Sequence, residues 1–339
     1  GWIPGGTPIV IVFLCGFFTA LTGGSGVAIL ALGGLLFPLL KKEGYSELFS
    51  LGLITLAGSL GLLFPPSLPL IIYGITARVS IKDLFIGGLV PGIIIALVIA
   101  AYSIFQGYSQ HVERQSFNIH NIIKELKNSF WEVIIPILIL FGVFGGYTTL
   151  VETSASLVIY VLLVEVFVYK DLKLNDLPRI VLDCATLIGG VLIILGVAMG
   201  FTSYLVDAQI PMILMDWVEQ NISSKYVFLL LLNILLLVVG CLMDIFSAII
   251  IIVPLITPLI SLFPDIHPVH LAVIFIANLE LGYLTPPVGM NLFLSAYRFE
   301  KDMPTVYKAT LPFFLLSLLI VLAITYIPII SLGLLKLLQ

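Results

Sequence analysis

The chain has 339 residues, of which 60% are hydrophobic and only 10% are charged. Because soluble globular proteins are about half apolar and about a quarter charged, this composition excludes the soluble class and predicts a chain embedded in a lipid bilayer. The formal net charge of -4 comes from dispersed residues rather than from a basic patch, so the sequence offers no surface of the kind that binds nucleic acid.

Hydrophobic runs predict the membrane segments, since a helix needs about 20 residues to cross the bilayer core. In chain order, single runs occupy residues 48–77, 83–106, 130–150, 153–169, 179–206, 269–297 and 309–330. The polar stretch at 111–129 predicts an amphipathic helix at the membrane surface, which joins two halves of the chain. The sequence therefore predicts an all-α polytopic membrane protein.

Two longer runs, residues 7–40 and 226–262, are interrupted at their centres by Gly23-Gly24 and by Met243-Asp244. A small or polar tip halfway through an apolar run favours a re-entrant helical hairpin, which enters and leaves the membrane on one face. The alternative is two full crossings of about 15 residues each, which is short for the bilayer core.

Two of the single runs, 48–77 and 269–297, contain the double prolines Pro65-Pro66 and Pro286-Pro287. Proline lacks an amide donor and disfavours the helical conformation of the residue before it, so each run is predicted to be a helix broken at its middle. Irregular backbone at membrane depth is tolerated where it is buried in protein or lines a cavity, and paired broken helices mark transporter binding sites. The pattern predicts a transporter.

The order hairpin, broken helix, single helix occurs twice, which indicates an internal repeat. We expect a first repeat at 1–110, the connection at 111–129 and a second repeat at 130–339. In the second repeat, the helices predicted within 130–206 precede the hairpin, whereas the first hairpin lies directly at the start of the chain. Repeat symmetry therefore predicts further helices before Gly1, in a longer subunit.

Charge predicts the orientation of the repeats. If both hairpins are re-entrant, most of the 15 Lys and Arg residues share one face, which the positive-inside rule makes cytoplasmic. The basic residues on the other face are Arg78, Lys82, Lys225 and Lys336. The two hairpins then open to opposite sides, as in an inverted repeat, and the C-terminus lies outside.

Candidate site residues lie at the hairpin tips and at the helix breaks. In the first half they are Thr22, Gly23, Gly24, Ser25, Gly26, Thr55, Ser59, Gly61, Pro65, Pro66 and Ser67. In the second half they are Met243, Asp244, Ser247, Asn278, Glu280, Gly282, Thr285, Pro286, Pro287, Gly289 and Asn291. These residues offer hard oxygen donors, namely hydroxyls, amides, carbonyls and a carboxylate. Such donors suit sodium and not a transition metal. No organic cofactor is predicted. The N-termini of half-helices can hold the carboxylate of an anionic substrate.

Several of these residues also fit a structural role. An ionisable group such as Asp244 or Glu280 inside an apolar run is a functional candidate, but Glu280 could equally be a buried acceptor for broken backbone. The Gly-Gly-Ser-Gly tip at 23–26 could be a close-packing surface. Glu152 follows a Thr-Thr turn and is interpreted as a helix cap.

Several motifs together resemble one transporter family. They are Thr22–Val27, Gly58–Gly74, Gly145–Ser154, Gly240–Asp244, Val253–Pro258 and Asn278–Phe293. In this order and over essentially the whole chain, they resemble the large membrane subunit of tripartite ATP-independent periplasmic (TRAP) transporters.

The resemblance implies an elevator-type, sodium-coupled importer in the bacterial cytoplasmic membrane. It implies a small organic acid as substrate, an extracytoplasmic binding protein that delivers it, and a small four-helix membrane subunit as partner. The implied sodium sites are Ser25, Gly61 and Pro65 for one ion, and Asp244, Gly282, Thr285 and Pro286 for the other.

Other functions are weighed against this one. An intramembrane serine protease would need a base beside Ser25, but the four histidines lie in or beside polar connections, so no enzyme is predicted. A channel with half-helices would be expected to show a fixed filter motif instead of paired proline breaks. The main alternative is a sodium-carboxylate transporter of the same superfamily that works without a binding protein.

Overall fold

The computed structural model describes residues 5–110, 112, 124, 129–139, 142 and 147–338. The regular elements among these residues are all helices, and none of these residues forms a strand. Within the described residues, 6 helices can cross a membrane by length and composition, namely Ser25–Lys42, Ile81–Ser109, Val151–Tyr169, Lys225–Leu242, Ile245–Leu262 and Met303–Tyr326. The all-α, polytopic prediction is confirmed. The connection predicted at 111–129 lies, apart from isolated positions, outside the described residues.

The first series of helices breaks at the predicted places. It comprises α1 (Gly6–Thr22), α2 (Ser25–Lys42), α3 (Glu47–Ala57), α4 (Leu68–Ala77) and α5 (Ile81–Ser109). Gly23 ends α1 in the left-handed conformation, with φ 72°, which glycine adopts without a steric penalty. A short 3₁₀ turn at Leu60–Leu62 lies between α3 and α4, so the backbone is irregular directly before the double proline.

The middle of the chain forms a compact unit of its own, residues 116–197. Its described helices are α6 (Phe130–Ile139), α7 (Leu150–Leu163), which continues as a π-helix over Val164–Tyr169, and the first part of α8 (Leu177–Asp207). Thr149 and Glu152 form a reciprocal capping box at the start of α7. The interpretation of Glu152 as a helix cap is confirmed, since its carboxylate accepts hydrogen bonds from the amide and the hydroxyl of Thr149.

The second series repeats the order of the first. After α9 (Ile210–Asn221) it comprises α10 (Lys225–Leu242), α11 (Ile245–Ile256), α12 (Pro268–Gly282), α13 (Met290–Phe299), α14 (Met303–Tyr326) and α15 (Ile329–Leu338). The helix predicted at 309–330 begins earlier and ends earlier than expected. Pro304 in the first turn of α14 favours a helix start, and Pro328 cannot continue a helix, so α15 is separate.

The two series interlock within the larger unit, residues 1–115 and 198–339. The first arm of each hairpin packs on the broken helix of its own series, α1 on α3 and α10 on α12, whereas the second arms cross over. Helix α2 contacts α13 of the second series, and α11 contacts α4 of the first. Each hairpin tip therefore lies among helices from both halves.

Candidate functional site

At the first helix break, the backbone of α1 lies against the backbone of the break. A Cβ atom on Gly61 would overlap the carbonyl oxygen of Gly16 and the amide nitrogen of Ala20. One turn away, the hydroxyl of Thr19 donates a hydrogen bond to the carbonyl oxygen of Gly58 at 2.7 Å. Gly61 is thus required for close approach of the hairpin to the break.

The first hairpin tip carries a buried hydroxyl without a partner. Ser25 is the first residue of α2 and is 1% exposed, and its Oγ has no hydrogen-bond partner among the described residues. The Ser25 carbonyl oxygen lies 3.0 Å from the position that a Cβ on Gly58 would occupy. Buried hydroxyl groups normally have partners, so this tip is suited to a ligand.

The double proline of the first half leads into a capped helix. The bond between Pro65 and Pro66 is cis, as is the bond between Pro286 and Pro287. Ser67 precedes α4, where its hydroxyl donates to the carbonyl oxygen of Leu62 and its oxygen accepts from the Leu70 amide at 3.4 Å. The start of α4 is therefore satisfied by the protein itself.

The second tip is joined to its own helix break by backbone contacts and hydrogen bonds. A Cβ on Gly282 would lie 2.7 Å from the Cα of Gly240, so two glycines allow α10 and α12 to touch. The amide of Gly289 donates to the carbonyl oxygen of Cys241 at 3.1 Å. The amide of Ile245 donates to the hydroxyl oxygen of Tyr283 at 2.6 Å. The tip is thereby held in place beside the break.

Asp244 caps the helix that follows this tip. Its carboxylate accepts from the Ser247 amide at 2.9 Å and from the Ser247 hydroxyl at 2.6 Å. A negative charge at a helix N-terminus is stabilised by the helix dipole. The side chain is half-buried, so its remaining lone pairs can bind a cation.

Two carbonyl oxygens of the second break converge beside this tip. Gly289 has φ +49°, and a Cβ built there would lie 2.8 Å from the carbonyl oxygens of both Thr285 and Tyr283. A side chain would fill this cradle, and glycine leaves it open. Carbonyl oxygens together with a nearby carboxylate form the donor set that hard cations prefer.

Buried acceptors without partners lie along α12 and at the start of α13. The Asn278 amide donates to the Asn233 side chain at 2.7 Å and to the Ile274 carbonyl at 2.8 Å, which leaves Oδ1 without a partner. Both carboxyl oxygens of Glu280, a residue 3% exposed, lack partners among the described residues. Asn291 likewise donates to the Thr55 carbonyl at 3.1 Å and has an unpartnered oxygen.

The structure brings only some of the candidate residues together. Each tip lies beside its own break. Two other candidates instead make contacts between the two series of helices. The hydroxyl of Thr55 lies 2.8 Å from that of Ser295, and the side chain of Asn291 contacts the Thr55 carbonyl. Thr22 is exposed and donates to the Phe18 carbonyl at 3.0 Å. The hydroxyl of Ser59 donates to the Leu56 carbonyl at 2.9 Å, so it is occupied locally.

Tyr283 and Asn233 are structurally important residues that the sequence pattern did not single out. Both are polar groups inside apolar runs and are almost fully buried. Buried tyrosine hydroxyls and amides usually have partners, so their polarity was the available signal. Their partners on other helices could not be deduced from spacing.

Comparison with known proteins agrees with the motifs. The family described as tripartite ATP-independent periplasmic transporter, DctM component, matches residues 1–330. The C4-dicarboxylate TRAP transporter large permease protein DctM of Pseudomonas aeruginosa is 32% identical over 98% of this chain and 78% of that protein. The ectoine TRAP transporter large permease protein TeaC of Halomonas elongata is 28% identical over 98% of this chain and 78% of that protein.

A further relative is longer. The isethionate TRAP transporter permease protein DctMQ of Oleidesulfovibrio alaskensis is 31% identical over 97% of this chain, which spans about half, 52%, of that protein. The similarity thus extends over nearly all of the present chain, including both tips and both breaks. The chain belongs to the DctM family, the large permease component of TRAP transporters.

Proposed function

We propose that this chain is the large membrane subunit of a sodium-coupled secondary importer for small organic acids. The observation that carries the proposal is the geometry of the second tip. The tip holds the Asp244 carboxylate, and the neighbouring helix break holds the carbonyl oxygens of Tyr283 and Thr285. A hydrogen bond from the Ile245 amide to the Tyr283 hydroxyl joins the tip to the break. A carboxylate and bare carbonyls at a helix break are suited to an unhydrated alkali cation.

Two sodium sites follow from the two tips. Ser25, Gly61 and Pro65 form the first, which is supported by the buried, unpartnered hydroxyl of Ser25. The second site consists of Asp244, Gly282, Thr285 and Pro286. Its support is the backbone contact between α10 and α12.

The substrate is a small organic anion that binds between the two cations. Relatives are named for C4-dicarboxylates and for isethionate. Four helices begin at the tips and breaks, namely α2 and α11 at the tips and α4 and α13 after the breaks. Sodium ions on either side would offset the substrate charge and couple its transport to the sodium gradient.

Transport proceeds by an elevator movement in an inverted repeat. Both hairpins are re-entrant and, with the broken helices, slide against the remaining helices of the repeats at 1–110 and 130–339. The crossing of α2 onto α13 and of α11 onto α4 supports a single mobile body. The subunit lies in the bacterial inner membrane with its C-terminus outside, binds a small four-helix subunit, and receives substrate from an extracytoplasmic binding protein.

Uptake into proteoliposomes tests this function. The complete complex is reconstituted and offered succinate, isethionate or ectoine with an inward sodium gradient. We expect one of the three to accumulate with sodium, and accumulation to stop when potassium replaces sodium. Uptake that is unchanged without sodium would contradict the coupling. Omitting the binding protein tests the alternative, because uptake that continues without it indicates a transporter that works alone.

A further inference from the structure

A surface groove between α2 and α13 holds an arginine side chain. The groove has a volume of about 280 Å³. Helix α2 lines it with Gly33, Gly34, Phe37 and Pro38, and α13 lines it with Arg298 and Phe299. It lies toward the C-terminal ends of both helices, which the distribution of basic residues places on the cytoplasmic side.

Two adjacent glycines of α2 give the groove its shape. A Cβ on Gly34 would overlap Nη2 of Arg298, and a Cβ on Gly33 would lie 2.8 Å from the ring of Phe299. The rings of Phe37 and Phe299 pack with their centroids 4.8 Å apart. The guanidinium group therefore lies on the backbone of α2, beside an aromatic wall.

Arg298 has no counter-charge in the part of the chain that the structure describes, where it forms no ion pair and donates no hydrogen bond. The nearby Lys41 and Lys301 differ from it, because both pair with Glu47. Glu300 also lines the groove but does not pair with Arg298. A guanidinium group presents five N–H donors in a planar fork, which matches the oxygens of a phosphate. The groove is thus suited to an anion.

The surface near the groove is apolar. Leu35 and Leu39 are exposed on α2, and Phe293 and Tyr297 are exposed on α13. Within each pair the residues are four positions apart, so they share a helix face. Exposed apolar side chains next to one unpaired cation match a phospholipid, which has apolar chains and a charged phosphate. Inorganic phosphate would match the cation alone.

We propose that this groove binds an anionic phospholipid of the cytoplasmic leaflet. The phosphate lies on the Arg298 guanidinium, and an acyl chain lies along Gly33, Gly34 and the two phenylalanine rings. Basic pockets between membrane helices on the cytoplasmic side bind anionic headgroups in this way. The lipid contacts one helix from each series, and its binding requires neither sodium nor the transported acid.

Arg298→Gln tests the headgroup contact. The purified membrane complex is titrated with phosphatidylglycerol, and bound lipid is counted by native mass spectrometry. Arg298 is exposed, so glutamine can replace it without a cavity. We expect phosphatidylglycerol affinity to fall at least about tenfold, because a charge-assisted, bidentate contact is lost. The preference of the wild type for phosphatidylglycerol over phosphatidylcholine should disappear as well.

Arg78→Gln is the matched control. Arg78 is also exposed and also has no ion pair among the described residues, but it follows α4 on the face that the basic residues predict to be outside. The substitution removes the same charge, and phosphatidylglycerol affinity should not change.

Gly34→Ala tests the shape of the groove with every charge retained. The added methyl group would take the place of the guanidinium, so phosphatidylglycerol affinity should fall. Gly189→Ala is its control, since a Cβ at Gly189 meets nothing within 4 Å. Thermal unfolding of each variant checks that the protein is folded.

Equal phosphatidylglycerol affinity in the wild type and Arg298→Gln overturns the inference, and so does an equal loss in Arg78→Gln. Displacement of the lipid by inorganic phosphate would assign the groove to a free anion. Dissociation of the small membrane subunit from Arg298→Gln, with lipid binding unchanged, would assign it to a protein partner. Both results contradict the inference. If Gly34→Ala does not fold, Arg298→Gln decides alone. Sodium-driven uptake by the wild type tests the proposed function separately.

Discussion

At the first hairpin tip the chain turns through glycines and a serine, without a charged side chain, and leaves the N-terminus of α2 uncapped. The second tip makes the same kind of turn, but Asp244 caps α11 and Tyr283 holds the following amide. Both tips lie against a glycine of their own broken helix. The two halves thus share a backbone arrangement and differ in charge, because only the second tip carries a carboxylate.

Gly282→Ala tests the shared arrangement and should have the largest effect. The new Cβ would lie 2.7 Å from the Cα of Gly240, where only backbone movement can relieve the overlap. Overpacking of this kind costs about 1–3 kcal/mol, and we expect uptake to be lost. The measurement is uptake together with thermal unfolding.

Gly189→Ala is the control, because a Cβ at this position in α8 meets nothing within 4 Å. It should leave both uptake and the unfolding temperature close to those of the wild type. Wild-type uptake in Gly282→Ala would show that close backbone contact at the second tip is dispensable.

Asp244→Asn tests the difference in charge between the tips. The amide oxygen can still accept from the Ser247 amide, so the cap is retained while the negative charge is removed. We expect the sodium concentration for half-maximal uptake to rise by about tenfold or more, since a pairing charge of this kind contributes at least about 1.4 kcal/mol. Unchanged sodium dependence would remove Asp244 from the cation site.

Tyr283→Phe tests how the second tip is positioned. The substitution removes the hydroxyl that accepts from the Ile245 amide, a loss of about 1 kcal/mol. Apparent sodium affinity should fall a few-fold while substrate affinity changes little. Tyr73→Phe is the control, because Tyr73 is an equally buried tyrosine in α4, where its ring packs against Phe275. Equal effects of both substitutions would indicate general packing instead of positioning.

Glu47→Gln tests a charge contact outside both tips and should have the smallest effect. Glu47 forms ion pairs with Lys41 and Lys301, and hydrogen bonds from Lys301 and then Lys41 lower its pKa to about 2. Because the folded pKa is lowered, ionised Glu47 stabilises the fold above its unfolded pKa of about 4.3, and this contribution is lost as the pH falls toward 2.

The contribution is small, less than about 1 kcal/mol, because the pair is partly exposed to solvent. The unfolding temperatures of wild type and Glu47→Gln should differ at pH 7, and the difference should shrink below the unfolded pKa and nearly vanish at about pH 2. A difference that is as large at about pH 2 as at pH 7 would show that the effect does not come from ionisation.

The helix breaks were predictable because proline and glycine act through local backbone chemistry. A double proline interrupts a helix within an apolar run, as Pro65-Pro66 and Pro286-Pro287 do here. The end of α14 shows the limit of hydrophobicity alone, since Pro328 stopped that helix inside a run that the apolar pattern continued. Local signals were more reliable than run length.

The sequence by itself determined the membrane class, the positions of the breaks and the family, because composition, proline chemistry and ordered motifs require no knowledge of distant contacts. Only the tertiary structure decided which helices meet at the breaks. The crossing of α2 onto α13 and of α11 onto α4 joins segments that are far apart in the sequence, since α4 ends at Ala77 and α11 begins at Ile245. The caps of Ser67 and Asp244 are local contacts, but the helices that lie beside these caps are fixed by contacts between distant segments.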